Sequence, residues 1–169
     1  MSGTLYDYQD AAEHVRYDPD SGILYWKDGK RPKGRTHKTI AGRLSADGYV
    51  YVSFNYKRVL GHRLAWFIIH GCLPEQIDHK NLIRSDNSIK NLRVANHALN
   101  LANKPIDKRS KTGVKGVHYN RKWDHYSAKI GINKVMIHLG LFKTAEEASR
   151  AYVEAATSWY GEYARWSNQ

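Results

Sequence analysis

The chain has 169 residues, 41% hydrophobic and 25% charged, which suits one medium folded domain or two small ones and excludes a wholly disordered chain. Lys and Arg number 27 against 16 Asp and Glu, a formal net charge of +11 and a pI near 9.7; with 12 Tyr and 5 Trp, that balance points to a polyanionic partner. A single cysteine, Cys72, excludes both an intramolecular disulfide and a cysteine-rich zinc cage, and no apolar run approaches the roughly 20 residues that span a bilayer.

Met1 to Tyr17 is acidic and lacks the apolar core of a signal peptide, so the protein reads as intracellular. Turn formers punctuate residues 17–60: Asp18-Pro19-Asp20-Ser21-Gly22, Asp28-Gly29, Lys33-Gly34 and Asp47-Gly48. The runs between them, such as Ile23-Leu24-Tyr25-Trp26 and Tyr49-Val50-Tyr51-Val52, are aromatic and β-branched, and the spacing predicts β-hairpins. Asp18, Asp20 and Gly22 imitate the start of a calcium loop, but the bidentate Glu that closes such a loop is missing and a plain turn is the reading.

From Gly61 the pattern becomes helical. The stretch His62 to His70 is apolar and Gly71 closes it. Cys72 beside it reads as a small buried hydrophobe. A strand over Gln76-Ile77-Asp78-His79 follows, then a polar loop through Asn87, then Asn91-Leu92-Arg93-Val94 and a helix from Asn96 to Asn103. Residues 104–112 are basic and polar without an apolar period, the mark of a linker; Lys108, Arg109 and Lys111 stand in it. Beyond it the runs Gly116 to Tyr119, Tyr126 to Ile130 and Met136 to Leu139 read as strands. Thr144 and Glu147 form a capping box, and Ala148, Ala151, Tyr152, Ala155, Ala156 and Trp159 recur on one face of the helix that Gly161 ends.

The segment Asp78 to Asn103 is dense in carboxylate, imidazole and amide groups. Phosphodiester hydrolysis needs a base for water, a cation for the charge on phosphoryl and leaving oxygens, and a scaffold for both. Asp beside His on a strand can offer a metal ligand and a base, provided a bulge or strand end makes both side chains usable. An amide oxygen from Asn100, one carboxylate, waters and phosphate oxygens would form the oxygen-rich sphere that magnesium prefers.

The elements His62-Arg63-Leu64-Ala65-Trp66, Gly71, Pro74, Ile77-Asp78-His79, Asp86-Asn87, Asn91-Leu92-Arg93 and Asn100 together resemble the HNH endonucleases of phages and mobile introns, over roughly 60–104. The resemblance implies a ββα-metal fold in which His79 is the general base. Asp78 and Asn100 would hold one divalent ion, magnesium with manganese as a substitute. Asn91 would brace the loop and orient His79. Lys80, Arg84 and Arg93 would face phosphate, while His62 reads as a core or supporting histidine.

The C-terminal unit carries a second resemblance. Val114-Lys115-Gly116-Val117, Tyr126 to Ile130, Leu139-Gly140-Leu141-Phe142 and Thr144 to Ala148 with Ala151-Tyr152 look like the ethylene-response-factor (APETALA-type) DNA-binding domain of plants, over about 112–165. In that family a three-stranded sheet lies in the major groove. By position Lys115, His118, Lys129 and His138 would contact DNA, and Arg121 and Lys122 would reach the backbone from a hairpin loop. Where the plant domains favour Arg or Trp this chain has Lys, His and Tyr, so the docking mode carries over and the base preference does not.

The expected architecture is therefore α+β. An N-terminal β-rich segment (1–60) leads into a nuclease module (61–104), a linker (105–111) and a three-stranded antiparallel sheet packed on one helix (112–165). The expected protein is a phage-encoded, homing-type nuclease working in the host cytoplasm on double-stranded DNA, with no membrane association. One active centre per chain suits nicking by a monomer, and double-strand cutting a dimer. The rivals are a non-catalytic DNA-binding regulator that keeps the fold as scaffold, and an RNA-binding protein resting on charge and aromatics alone.

Overall fold

The computed structural model describes residues 3–28, 39–107 and 110–165 and divides into two units, Met1–Ala95 and Asn96–Gln169. Gly29, Lys33, Gly34, Lys108 and Arg109, singled out above in turns and linker, lie outside the described residues.

The first unit opens with a helix, α1 (Leu5–His14), in an acidic segment with no long apolar stretch. Its start is a capping box: Thr4 Oγ1 accepts from the Asp7 amide while the Asp7 carboxylate accepts from the Thr4 amide. Tyr8 and Ala11 are fully buried on its inner face. Strands β1 (Val15–Tyr17) and β2 (Leu24–Trp26) form the first hairpin. A three-stranded antiparallel sheet follows: β3 (Arg43–Leu44), β4 (Val50–Phe54) and β5 (Lys57–Leu60), with β4 in the middle. Asn55 and Tyr56, both at positive φ, make the two-residue turn between β4 and β5. Helix α2 (Gly61–His70) comes next, and Gly71 caps it in the left-handed region as expected. Val52, Phe54, Val59 and Leu64 join Tyr8, Val15, Leu24 and Trp26 in one core. Cys72 is exposed, not buried, because the chain has already left α2 at the Gly71 cap.

The unit ends in the antiparallel hairpin β6 (Gln76–His79) and β7 (Leu92–Ala95), whose register pairs Asp78 with Arg93 and His79 with Leu92. No bulge interrupts it; His79 is the last residue of its strand, with the Lys80 amide still donating to the Asn91 carbonyl at 2.9 Å.

The second unit begins with α3 (His97–Asn103), capped by Asn96 Oδ1, which accepts from the Leu99 amide. The division therefore falls ahead of α3 and not in the basic stretch 105–111. Within this unit Lys115 Nζ donates to the carbonyls of Leu101, Ala102 and Lys104, and Arg165 Nε donates to Asn103 Oδ1. Strands β8 (Val117–Asn120), β9 (His125–Ile132) and β10 (Val135–Phe142) form a sheet with β9 central, and α4 (Ala145–Tyr160) packs across it. Thr144 and Glu147 form the anticipated capping box. The core is Val117, Ala128, Ile130 and Ile132 from the sheet against Ala148, Tyr152 and Ala156 from the helix. Trp159, expected on that buried face, is 59% exposed; it is the penultimate residue of α4, and the neighbouring Tyr160 packs against the core in its place. Gly116 (φ +72) is fixed by crowding: a Cβ there would lie 2.3 Å from Tyr152 Cε2 and 2.4 Å from the Lys129 carbonyl. Among the described residues no helix is long and apolar enough to cross a membrane.

Candidate active site

Alternation along β6 sends the two chemically expressive side chains to opposite faces of its hairpin. Asp78 meets its cross-strand partner Arg93, whose Nε and Nη2 donate to Oδ2 at 3.0 and 2.8 Å. Both side chains are nearly shut off from water, at 11% and 7% exposure. Arg93, expected at a phosphate, is thus an internal counter-ion to the candidate metal ligand.

His79 turns inward and is buried. Its ring lies edge-on to the His62 ring, centroids 5.0 Å apart, and 6.0 Å from the Tyr49 ring; Tyr49 and His62 are themselves 5.3 Å apart. His79 Nε2 lies 3.2 Å from Asn87 Oδ1. An amide oxygen only accepts, so the contact requires Nε2–H and leaves Nδ1 of a neutral ring as the nitrogen able to take a proton. Burial lowers the His79 pKa from its ordinary value, against the opposing pull of Asn87 and of the Asp78 and Asp86 carboxylates. His62 is pushed down to about 3, mainly by burial and further by His79 and Arg63, and its Nδ1 has no hydrogen-bond partner among the described residues. Both imidazoles are therefore neutral near pH 7.

The loop that follows is held by its own amides. Asn91 Oδ1 accepts from the Asn81 amide at 3.0 Å, and its Nδ2 donates to the Asp86 carbonyl at 2.8 Å. Asn81 Nδ2 donates to Asp86 Oδ2, while Ser88 Oγ donates to Asp86 Oδ1. Burial alone would raise the Asp86 pKa, yet the donors from Ser88 and Asn81 leave it lowered. Asn91 thus spans the loop as a brace, while the amide on His79 itself belongs to Asn87, at 2% exposure. The neighbours Asn87, His62 and Tyr49 were not legible as a set, since they come from a loop, a helix and the residue ahead of β4, far apart in sequence. The Asp86-Asn87 pair and His62, read as a core or supporting histidine, were the signals available.

Of the cations expected near DNA in this unit, Lys80 and Arg84 are exposed. Arg84 Nη1 donates to the Asp47 carbonyl at 2.8 Å, and its guanidinium lies 4.9 Å from the Tyr49 ring centroid, so it is fastened beside the His62–His79 cluster. Asn100 stands on α3, in the second unit. Among the described residues no three His, Cys, Asp or Glu side chains gather as a metal cluster.

A family model described as HNH endonuclease matches residues 59–102. Residues 59–102 are thus similar to HNH endonucleases. The match covers about a quarter of the chain, from the end of β5 through α3, and includes His62, Asp78, His79, Asn87, Asn91 and Asn100. An HNH domain implies a nuclease acting on DNA. No curated protein matches the chain.

Beyond the matched segment, the second unit presents a sheet with one face on α4 and one face open. Cross-strand partners share a face: Val117 with Ala128 and Ile137 with Ile130 lie on the helix side, His118 with Ser127 and Lys129 with His138 on the other. His118, Lys129 and His138 are all exposed there. Arg121 and Lys122 occupy the exposed turn between β8 and β9, with Lys122 Nζ 5.1 Å from the Trp123 ring centroid. Lys115 is different: its amine is committed to three carbonyls at the end of α3, and burial pushes its pKa down to about 8.

Proposed function

We propose that the protein is an HNH-type DNA endonuclease that hydrolyses phosphodiester bonds in double-stranded DNA with one divalent ion, in a phage-encoded, homing-type setting. The observation that carries the reading is His79: a buried neutral imidazole with Nε2 engaged by Asn87, inside the segment that matches the HNH family. A base of that kind takes a proton from water as the water attacks phosphorus. The leaving 3′ oxygen departs as a hydroxyl and the 5′ phosphate stays on the other product, as the family resemblance implies.

Asp78 and Asn100 are the residues proposed to hold the ion. One carboxylate and one amide oxygen suit a hard cation that keeps several waters, and a carboxylate oxygen that accepts from Arg93 still has further lone pairs. When bound, a magnesium-type ion supplies charge neutralisation at the phosphoryl group. Asn91 holds the loop, and Lys80 and Arg84 are proposed phosphate contacts. The second unit is proposed as an APETALA-type DNA-binding domain, supported by a three-stranded sheet with His118, Lys129 and His138 on its open face and Arg121 and Lys122 at its turn.

A plasmid nicking assay with magnesium tests the reading. His79→Ala should lose about 10²- to 10⁴-fold in rate, the range for a general base, and equal activity of the two proteins would overturn the mechanism. Asp78→Ala retaining full metal-dependent cutting would remove the ligand assignment alone. The Arg93–Asp78 ion pair favours one second reading, a DNA-binding regulator that retains the fold as scaffold. Sequence-specific binding without cleavage under magnesium, manganese and calcium would decide for it.

A further inference from the structure

The five residues Asp18 to Gly22 resemble a cation loop in sequence but build something else. Asp18 Oδ2 accepts from Ser21 Oγ at 2.6 Å and Oδ1 from the Asp20 amide at 3.1 Å, while the Gly22 amide donates to the Asp18 carbonyl at 2.9 Å. The Asp18 carboxylate is spent on closing the turn between β1 and β2. That turn then makes three separate contacts with one short segment of the matched residues. Tyr17 Oη donates to the Asn87 carbonyl at 2.7 Å, and the Ile89 amide donates to the Pro19 carbonyl at 3.0 Å. Gly22, at φ +72, lies so close that a Cβ would stand 2.3 Å from the Ser88 nitrogen and 2.5 Å from the Asn87 carbonyl carbon. Burial pushes the Tyr17 phenol up to about 12, so it remains a donor across the neutral range.

The turn therefore grips the backbone at Asn87 and directly after it, next to the side chain that meets His79. We propose that the Tyr17–Gly22 turn is a positioning element of the active site: by fixing the backbone of Asn87 it holds the Asn87 amide oxygen on His79 Nε2, keeps the imidazole in its Nε2–H tautomer and reserves Nδ1 for the proton. The proposal rests on the reading of His79 as the base. It gives the β1–β2 hairpin, which lies outside the family match, a part in the reaction that neither charge nor motif suggests. The contacts are backbone-directed, so the identity of Tyr17 and Gly22 matters for hydroxyl reach and for absence of a Cβ, not for chemistry at the phosphate.

The test uses full-length protein labelled with ¹⁵N-histidine and read by NMR without metal, alongside magnesium-dependent nicking kinetics. His79→Gln identifies the His79 signals among the nine histidines. Wild type should show His79 as the Nε2–H tautomer. Asn87→Ala should give a mixture of tautomers and lower kcat about 10- to 100-fold, the range for an outer partner that orients a functional imidazole, with KM for DNA nearly unchanged. Asn87→Asp, which restores an accepting oxygen, should recover both readouts. Tyr17→Phe, which keeps the buried ring and removes only the hydroxyl, should move both in the same direction as Asn87→Ala and carries the test if that variant fails to fold. Wild-type tautomer and kcat in Tyr17→Phe, with His79→Gln inactive, would overturn the positioning role while leaving the base in place. Full activity of His79→Gln would instead remove the base assignment itself.

Discussion

Arg93 straddles a single oxygen of Asp78, donating to Oδ2 from both Nε and Nη2, and the two residues face each other directly across the β6–β7 hairpin. A charge pair this dry is costly to break from one side, because the survivor is left charged in a place water barely reaches. Arg93→Ala should therefore destabilise the first unit by about 3 kcal/mol, and the double variant with Asp78→Ala should cost less than the two single losses added. Urea unfolding of the four proteins provides the cycle; strict additivity would show that the pair is not coupled.

Acid should unfold the first unit through His62. Its pKa is about 3 in the fold and about 6.5 in an unfolded chain, so between those values the unfolded state binds the extra proton. Stability is then full above pH 6.5 and falls on acidification, by up to about 1.4 kcal/mol per pH unit from this one group. His79, also lowered, acts in the same direction. His62→Phe should flatten the loss between pH 7 and pH 5 measured by denaturant unfolding, and an unchanged slope would assign it elsewhere.

Lys115 serves as a C-terminal clasp for α3. Lys115→Met keeps the aliphatic stem and removes three donors from the carbonyls of Leu101, Ala102 and Lys104. A loss of about 1–3 kcal/mol in the second unit is expected, with amide exchange rising first in α3. If exchange rises evenly over the second unit, the clasp is not local to the helix.

On the open sheet face, Lys129→Ala should weaken DNA binding and reduce the slope of log affinity against log salt by about 0.9, one phosphate's share. His138→Ala should weaken binding with little change in that slope. Fluorescence anisotropy with a labelled duplex over a salt series separates the two. A Lys129→Ala protein with the wild-type slope would place the duplex on another face.

Much of the fold could be read from local patterns. The α2 helix with its Gly71 cap, strand β6 at Gln76–His79 and the Thr144–Glu147 capping box each follow from a few neighbouring residues. Helix α1 was legible too, in Thr4 and Asp7, but its polar composition hid an inner face of only Tyr8 and Ala11. The site was legible only in part. Asp78, His79, Asn91 and Asn100 stand in a recognisable spacing, whereas Arg93 opposite Asp78, Asn87 on His79 and the grip of Tyr17 on Asn87 depend on strand register and on contacts 70 residues apart. Sequence spacing carries no information on such pairings until the hairpins close. Cys72 lies just past the cap that ends its helix, whereas Trp159 gives way on the core side of α4 to its neighbour Tyr160.

The irregularity in β10 has a practical bearing on any attempt to alter what the second unit recognises. Register shifts between His138 and Gly140, so that Lys129 opposes His138 while the next residue back along β9, Ala128, opposes Gly140 and Ser127 opposes Leu141. The alternation of the strand slips phase there, and Leu139 and Gly140 both fall on the α4 side. A library designed on strict every-other-residue logic would randomise Gly140, whose φ of +145 tolerates little else, and would spare Leu141, which is 60% exposed beside Ser127. Reprogramming this surface calls for diversity at positions 118, 127, 129, 136, 138 and 141, counted across the slip.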